Sequence, residues 1–592
     1  MSDEMRWDLS PLVENTDPGK IQEQINQAIT DAKKLEKDYK GKITSLDPKG
    51  VLELYKRQEN AFLKREGAIR YAQLNYSADM TDPVSKDLND HGLNAFMEIQ
   101  KTLAFIDLEL GKLLKKNPKL IENPILTDYK HALEQVYRKV PYQLSEIEEK
   151  LIIEKDRNGI DAWSQLQEEW VSTRTFEIEI DGKMQTLPYG KIIGFYDSPD
   201  RKLRKNANSI IYSNLGKDHI IWASALRSIC SDHIMQMKRR KWPSTLTSSL
   251  ITNDVDQASI ESLMETVKTN ASLYQRYLSL KAKIMGLPKL GNWDITAPLP
   301  EIPERTFTWS EGQKLVVDCY SSFDKQSGEW VQEMFEKRHI DGIVKQGKQT
   351  GAWCAPWVKG KSAWILLSFN EKLGNVYTLA HENGHALHDY LMTRAQKPTN
   401  CSVSYCMAEI GSVFGELLLT EKLLAEAKTN EEKREILCHV LDDFGITAFQ
   451  VSARYFFEHR IYDSIQKGEF LDGEKIAKLW VTSRDEIYGN AVEWLEEMKW
   501  EWTMKGHYYI PRFRFYNYPY VYAQLFVFAL YEKYKQEGEA FVPKLKQLLA
   551  SGSSKSPRDL VKEIGFDLTD PNFWKLGLKQ AERLIDELET LV

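Results

Sequence analysis

Apolar residues recur at three- and four-residue spacing through most of the first third of the chain, with charged residues between them. Clear examples are residues 21–39 and 49–74, in which Pro and Gly are sparse. This spacing is typical of amphipathic helices that bury one face. The same pattern resumes after residue 189, for example over 259–285. The sequence therefore predicts a mostly α fold.

A few stretches depart from the helical spacing. Residues 176–180 alternate apolar with acidic, Asp181-Gly182 can form a two-residue turn, and 183–187 returns, which predicts a β-hairpin. We expect this hairpin, at about 176–187, to close an amino-terminal helical region over residues 1–188. The remaining residues, 189–592, form the second predicted region. The β-prone run 363–369 predicts a short strand or two.

Composition and charge narrow the class of protein. Of the 592 residues, 42% are apolar and 28% charged, which is typical of a folded globular chain. The net charge of −7 offers no broad cationic surface, so no nucleic-acid partner is expected. No apolar run approaches the roughly 20 residues of a membrane span, and the acidic start does not resemble a secretory signal. Six dilute cysteines without a C-x-x-C pair favour reduced thiols, so a cytoplasmic location is predicted.

The segment His381-Glu382-Asn-Gly-His385 carries the candidate chemistry. On a helix the two histidines are one turn apart and project from the same face, where one tetrahedral ion can accept both imidazoles. Glu382 points about 100° around the helix. It can therefore reach a metal-bound water without ligating the metal.

This arrangement suits hydrolysis of a peptide bond. Zinc with an open coordination position lowers the pKa of bound water to about 7, and a neighbouring carboxylate can accept the proton as the water attacks a carbonyl. Glu382 would then return the proton to the leaving amine, acting as base and afterwards as acid. The sequence predicts a peptidase with one zinc ion.

A third protein ligand must lie elsewhere in the chain. The metzincin pattern requires Gly and His three and six residues after His385, but this chain has His388 and Leu391 there. A gluzincin takes a Glu from a following helix, and Glu409 lies in the apolar run 407–414. A carboxylate in such a run is costly unless it is paired or metal-bound. Glu409 is therefore the predicted third ligand.

Three further side chains are candidates for orienting the ligands. Glu416 lies seven residues after Glu409, on nearly the same helix face, and competes with it as third ligand. Its predicted role is to bond the other ring nitrogen of a ligating histidine. His388 and Asp389 are candidates for the same role.

Several motifs together resemble the oligoendopeptidase F-type branch of the thimet-oligopeptidase-like metallopeptidases. The matching segments extend over most of the chain: Met5-Arg-Trp7-Asp8-Leu9-Ser10-Pro11, Tyr277-Leu-Ser-Leu-Lys-Ala-Lys, Trp293-Asp-Ile-Thr-Ala-Pro298, Gly347-Lys-x-x-Gly351-Ala-x-Cys354, His381-Glu382-x-Gly384-His385-x-x-His388 and Ala408-Glu409-x-x-Ser412. The chain departs from the family at Asn383, where an apolar residue is more usual. That departure affects packing behind the helix more than ligation.

The resemblance implies a large, mostly helical, two-lobed metallopeptidase with a deep substrate channel, one zinc ion at its floor and a small β element near the active site. It implies zinc-dependent cleavage of internal bonds in short unfolded oligopeptides. Residues 364–369 would pair with the substrate backbone. The remaining implied contacts to substrate come from Gly351, Ala352, Trp353 and Cys354. The implied donors to the tetrahedral oxyanion are His507, Tyr520 and Tyr522.

Two alternative functions can be considered from the same sequence. Residues 342–349 come within one residue of a phosphate-binding loop, but Gln349 stands where Ser or Thr would hold magnesium. The second alternative is a non-catalytic, metal-dependent peptide-binding protein. An intact Glu382 argues against that alternative, because a binding protein has no use for a base beside the metal.

Overall fold

Helices dominate the fold, as the hydrophobic pattern predicts. The structure is a computed structural model that describes residues 4–300 and 306–592. In chain order its α-helices are α1 (Pro18–Tyr39), α2 (Pro48–Ala78), α3 (Pro83–Leu103), α4 (Phe105–Lys116), α5 (Lys130–Lys139), α6 (Glu146–Asn158), α7 (Ala162–Ser172), α8 (Tyr189–Ile192), α9 (Arg201–Gly216), α10 (His219–Arg240), α11 (Thr247–Asn253), α12 (Gln257–Thr269), α13 (Ala271–Ile284), α14 (Trp309–Phe323), α15 (Lys325–Glu336), α16 (Leu373–Ala395), α17 (Tyr405–Ala408), α18 (Ile410–Glu426), α19 (Asn430–Phe444), α20 (Val451–Gln466), α21 (Gly473–Tyr488), α22 (Tyr518–Glu537), α23 (Val542–Ala550), α24 (Pro557–Glu563) and α25 (Pro571–Glu589). Among the described residues, none of these helices combines the length and apolarity that a bilayer crossing would need.

The described strands form three small sheets. They are β1 (Thr175–Ile180), β2 (Lys183–Pro188), β3 (Leu290–Gly291), β4 (Ile340–Asp341), β5 (Trp353–Trp357), β6 (Ser362–Leu366) and β7 (Val492–Glu493). β1 and β2 pair antiparallel, and Asp181 and Gly182 between them both have positive φ, as the predicted hairpin turn requires. β3 pairs with β7 in parallel. The third sheet has the order β4-β6-β5.

Three of the first helices begin in the same way. Asp17, Asp47 and Asp82 each precede a proline and accept a hydrogen bond from a backbone N–H in the first turn of α1, α2 and α3. An N-cap carboxylate satisfies one of the donors left free at a helix start, and proline at the first position loses no hydrogen bond. The Asp-Pro pairs therefore fix where these helices begin.

The chain divides into two compact units. Unit 1 comprises residues 1–140, 304–426 and 530–567, and unit 2 comprises residues 141–303, 427–529 and 568–592. The β1–β2 hairpin lies inside unit 2, so the predicted regions 1–188 and 189–592 do not coincide with the compact units. Contacts between distant segments define the units, and local hydrophobic spacing does not report such contacts.

In unit 1, α16 packs against α14, α18 and the β5–β6 hairpin. Every residue of β6 is buried, because β6 is the central strand of its sheet. The ring of Trp7 contacts those of Trp353 and Trp364 on this sheet. The sheet therefore forms a rigid base beside α16, the helix that carries the histidine pair.

In unit 2, α9 packs against the β1–β2 hairpin, with Phe176 and Ile178 of β1 buried in the contact. The Pro-rich segment 297–303 is expected to be extended, since proline disfavours helix in the residue before it. Residues 297–299 have neither helix nor strand, whereas 301–303 lie outside the described residues.

Candidate metal centre

The two histidines of the motif lie on one continuous helix, α16. Their rings are 4.9 Å apart between centroids and nearly perpendicular. Most of the other residues of α16 are buried, which fixes the helix against its neighbours. Only one turn separates His381 from His385, so a rigid helix is sufficient to hold both imidazoles on one face.

Glu409 lies opposite this histidine pair. Its Oε2 is 3.3 Å from Nε2 of His381 and 3.3 Å from Nε2 of His385. The hydroxyl of Ser412 donates to the same oxygen at 2.6 Å. The apolar run around Glu409 suggests a position inside a helix. Glu409 instead lies at the junction between α17 and α18. At this junction the chain can turn the carboxylate toward α16.

The distance between α16 and α18 is set by two glycines. A Cβ added to Gly384 would lie 2.2 Å from the carbonyl oxygen of Gly411, and one added to Gly411 would lie 2.2 Å from the carbonyl oxygen of Gly384. The two backbones are therefore in direct contact. This close crossing brings Glu409 within reach of both imidazoles.

Glu416, on α18, holds His381 from the other side of its ring. Its Oε1 is 2.7 Å from Nδ1 of His381. Burial alone would lower the pKa of His381, but this hydrogen bond and the charges of Glu416, Glu409 and Glu382 raise it to about 10. Burial would also lower the pKa of His385, but the hydrogen bond and charge of Glu409, together with the charge of Glu382, raise it. The site therefore attracts positive charge.

Glu382 is only 4% exposed and lies next to His381 in the sequence. Its Oε2 accepts no hydrogen bond from the described residues. Burial raises the pKa of Glu382, and the charges of the two histidines oppose that effect. A buried carboxylate with an unsatisfied oxygen is costly unless a further group interacts with it. This carboxylate is thus placed to interact with a group that is not part of the fold.

His388 and Asp389 lie one turn beyond the histidine pair. His388 is buried and bonded to the backbone of Ala408, next to Glu409, and burial lowers its pKa to about 4. Burial raises the pKa of Asp389 to about 7, and the thiol of Cys354 lies 3.8 Å from its Oδ2. His388 therefore supports the segment that carries Glu409, whereas Asp389 lies beside β5.

The donor atoms fit a divalent transition metal. Two imidazole nitrogens and one carboxylate oxygen lie within 4.8 Å of one another in a group that combines His381, His385 and Glu409. Three N and O ligands are typical of catalytic zinc sites, which keep a fourth position open. The Glu416 bond to Nδ1 of His381 leaves Nε2 free to ligate.

Known families match most of the chain. The profile described as Peptidase family M3 matches residues 195–579, and the one described as Oligopeptidase F matches residues 115–176. The chain belongs to peptidase family M3. The M3 match contains all the residues of the metal centre described above.

Named relatives of this M3 peptidase align over nearly its whole length. Oligopeptidase PepF of Bacillus subtilis (strain 168) is 26% identical over 559 residues, which cover 94% of this chain and 82% of that protein. Group B oligopeptidase PepB of Streptococcus agalactiae serotype III (strain NEM316) is 26% identical over 603 residues, covering 100% and 98%. The predicted oligoendopeptidase F-type membership and the metalloendopeptidase class are confirmed.

Solved structures share the fold of this M3 peptidase. One from Chlamydophila abortus, provisionally described as a peptidase, has a TM-score of 0.89 at 22% identity and covers 100% of this chain and 99% of its own. Oligoendopeptidase-F from Enterococcus faecium has a TM-score of 0.68 at 21% identity, covering 97% and 99%. This likeness concerns the fold alone, and it confirms the mostly α prediction.

The strand expected to pair with substrate is already paired. The N–H groups of Ile365, Leu367 and Phe369 donate to carbonyls of residues 339–342, and β6 pairs antiparallel with β5 along its other edge. The prediction that residues 364–369 pair with a peptide backbone is therefore wrong over the length of β6. The outer strands of this sheet are β4 and β5, and β5 contains Pro356, a residue that sheets tolerate at their edges.

The predicted substrate-contacting residues lie at the start of β5. Trp353 and Cys354 belong to β5, and Gly351 and Ala352 precede it. Gly351 has a φ of +93, which few other residues adopt. These four residues and the metal centre belong to the same unit, and the contact between Cys354 and Asp389 joins them.

The three predicted oxyanion donors lie in unit 2 and differ in their exposure. The rings of His507 and Tyr520 are 6.4 Å apart, and Tyr520 is 40% exposed. Tyr522 is 0% exposed and packs against Phe526 and Trp574. Neighbouring positions on a helix face different directions, so Tyr520 and Tyr522 of α22 have different surroundings.

The alternative phosphate loop has a structural role in this M3 peptidase. Lys348 is buried, and its Nζ donates to Oδ1 of Asp341 and to the carbonyls of Asp341, Ile343 and Leu367. All its donors are used in joining β4 to the segment after β6. Lys348 is therefore not available to bind a phosphate.

One supporting residue has no signal in the motif. The hydroxyl of Tyr320, on α14, donates to the carbonyl of Ala380 at 2.8 Å, just before His381. A Cβ on Gly415 would collide with that hydroxyl. The sequence distance between α14 and α16 hides this contact, although the absence of a side chain at Gly415 could have suggested a close neighbour.

Proposed function

We propose that this M3 peptidase is a zinc-dependent endopeptidase that hydrolyses internal bonds of short, unfolded oligopeptides. The observation that carries the proposal is the convergence of His381, His385 and Glu409, with Glu382 buried beside them and one of its oxygens unsatisfied. The names of its relatives and structural neighbours, oligopeptidase and oligoendopeptidase, support the substrate class.

The three converging side chains would hold the ion. A zinc ion bound there supplies Lewis acidity, which lowers the pKa of water and polarises the scissile carbonyl. Glu416 would orient His381 through Nδ1, and His388 would hold the backbone next to Glu409. His381 and Glu409 are thus each supported by a neighbour that does not itself ligate.

Glu382 would accept the proton of the attacking water and later donate it to the leaving amine. Burial raises the pKa of this carboxyl, which makes its carboxylate a stronger base. Because Glu382 lies beside the ligands and does not ligate, its carboxylate would be able both to accept and to donate the proton.

Substrate would bind as an extended strand along the free edge of β5. Main-chain hydrogen bonds recognise a peptide without selecting its side chains, which suits a peptidase of varied oligopeptides. We assign His507 and Tyr520 as donors to the tetrahedral oxyanion, whereas burial of Tyr522 argues against direct contact with substrate. A deep channel and a cytoplasmic location remain predictions.

The test uses an internally quenched peptide of about ten residues. Cleavage should stop after a zinc chelator is added and return with stoichiometric zinc. Mass spectrometry of the products should place the cut at an internal bond. A folded protein that contains the sequence of the peptide should remain intact. Zinc-dependent binding without cleavage would instead support a peptide-binding protein, and cleavage unaffected by the chelator would refute the proposal.

A further inference from the structure

Residues 507–510 of unit 2 fold around one buried guanidinium. Nη2 of Arg514 lies 3.1, 2.8 and 2.9 Å from the carbonyl oxygens of His507, Tyr508 and Ile510. Residues Gly506–Tyr508 form a 3₁₀-helix, and the carbonyls at the end of such a turn have no partner within it. Arg514, which is 3% exposed, supplies donors to the His507 and Tyr508 carbonyls and adds a second donor at Ile510, whose carbonyl also accepts from the N–H of Phe513.

Glu458, on α20, contacts both Arg514 and the residue after it, Phe515. Its Oε1 accepts a hydrogen bond from the backbone N–H of Phe515 at 2.9 Å and lies 4.0 Å from Nη1 of Arg514. Glu458 is also buried, and burial raises its pKa to about 6, against the opposing charge of Arg514. Removing one member of a buried charge pair leaves the other uncompensated.

The backbone at Phe515, directly after Arg514, has an unfavourable conformation. Phe515 has a φ of +53, which is uncommon for a bulky residue. Its ring packs against those of Tyr455, His459 and Tyr462, at centroid distances of 5.8, 4.6 and 5.3 Å. Such strain persists only where the surroundings fix it, and it is common near functional sites.

Residues 514–516 bring the chain back toward His507. The ring of Tyr516, the residue after Phe515, lies 5.3 Å from that of His507, and Tyr520 follows at the start of α22. The orientation of the His507 ring therefore depends on contacts made by Arg514 and Phe515. Neither Arg514 nor Glu458 is exposed enough to contact a peptide itself.

We propose that Arg514 and Glu458 are positioning residues, which hold His507 and Tyr520 in the orientation from which they donate to the transition state. The proposal rests on the function proposed above, in which these two side chains are donors. A loss of positioning affects the transition state more than the bound substrate, so it should lower kcat with little change in KM.

The test compares Arg514→Lys with Arg484→Lys. Lysine keeps the positive charge but lacks the planar guanidinium and its fixed set of N–H donors. Arg484 is a matched control because it is a buried arginine of unit 2 whose partners are Asp485 and Trp494. The kcat of Arg514→Lys should fall between about tenfold and a hundredfold, with KM within about twofold. Amide hydrogen exchange over residues 506–511 should become faster. The control should match wild type in both measurements, and Glu458→Gln should change both in the same direction as Arg514→Lys.

A double variant separates positioning from general destabilisation. If Arg514 acts through His507 and Tyr520, the Arg514→Lys loss should be smaller in a His507→Ala background, where only the effect through Tyr520 persists. Additive losses, a change in KM alone, or unchanged exchange over residues 506–511 would overturn the proposal. A fully active His507→Ala enzyme would refute the donor role of His507, and the exchange data would then still report whether Arg514 holds the segment.

Discussion

Gly384 of α16 and Gly411 of α18 are in backbone contact, so that a β-carbon on either would lie 2.2 Å from the carbonyl oxygen of the other. Backbone atoms cannot move aside as a flexible side chain can. The contact therefore fixes the separation between the helix that carries the two histidines and the segment that carries Glu409. Metal affinity should depend on these glycines although neither can ligate.

Gly411→Ala should weaken metal retention and destabilise the fold. Inserting a methyl group into a packed contact costs about 1–3 kcal/mol. Zinc content after dialysis and urea unfolding would measure the two effects. The control is Gly374→Ala at the start of α16, where an added Cβ meets nothing within 4 Å. Wild-type zinc affinity in Gly411→Ala would show that the crossing does not set the ligand geometry.

Glu382→Gln should retain zinc and lose nearly all turnover. The amide preserves the size of the side chain but cannot accept a proton, and general-base contributions are typically about 10²–10⁴-fold. The measurement pairs kcat on a quenched peptide with zinc content per chain. The control is Glu421→Gln, a carboxylate of α18 that pairs with Lys535. Normal cleavage by Glu382→Gln would place the base elsewhere.

Glu409→Gln and Glu416→Gln should both lower zinc affinity, but to different extents. Glu409 lies 3.3 Å from both Nε2 atoms, whereas Glu416 contacts only Nδ1 of His381. Loss of a residue that orients a ligand costs about 10–100-fold in affinity, and loss of a ligand should cost more. Competition with a chromogenic chelator would rank the two. Normal affinity in Glu409→Gln would redirect the third-ligand assignment to Glu416 or Asp389.

His339 should make unit 1 sensitive to mild acid. It is buried, with Nδ1 2.9 Å from the hydroxyl of Ser362, and burial lowers its pKa to about 4. In the unfolded chain the pKa is about 6.5, so the unfolded state binds the extra proton first. The free energy of unfolding therefore falls as the pH falls from about 6.5 to about 4.

The variant His339→Gln tests this pH dependence. It should reduce the slope of unfolding free energy against pH in that interval by up to about 1.4 kcal/mol per pH unit. Urea unfolding at several pH values would measure the slope. An unchanged slope would show that His339 does not titrate differently in the two states.

The sequence predicted the features of the site that depend on local geometry. His381 and His385 lie on one helix, so their spacing alone determines that they share a face. Glu409 could be selected because a carboxylate among apolar residues is costly. Its place at the junction of α17 and α18 could not, since the break between the two helices depends on packing against α16.

Features that depend on distant contacts were not predicted. The β-prone run identified the strand at Trp364, but β4 and β5 pair with both of its edges and are the outer strands of the sheet. Tyr522 was grouped with Tyr520 because both lie in one tyrosine-rich run. Contacts with Phe526 and Trp574 bury Tyr522, and no local pattern reveals them.

Each compact unit is assembled from three separate stretches of chain, and this has a consequence for biosynthesis. Unit 1 needs residues 530–567 and unit 2 needs residues 568–592, so neither unit can close until translation has gone past residue 530. Domains that are continuous in sequence can fold one after another as they emerge. Here the nascent chain must instead stay unaggregated with both halves incomplete, and a product that stops short of residue 530 lacks a part of each.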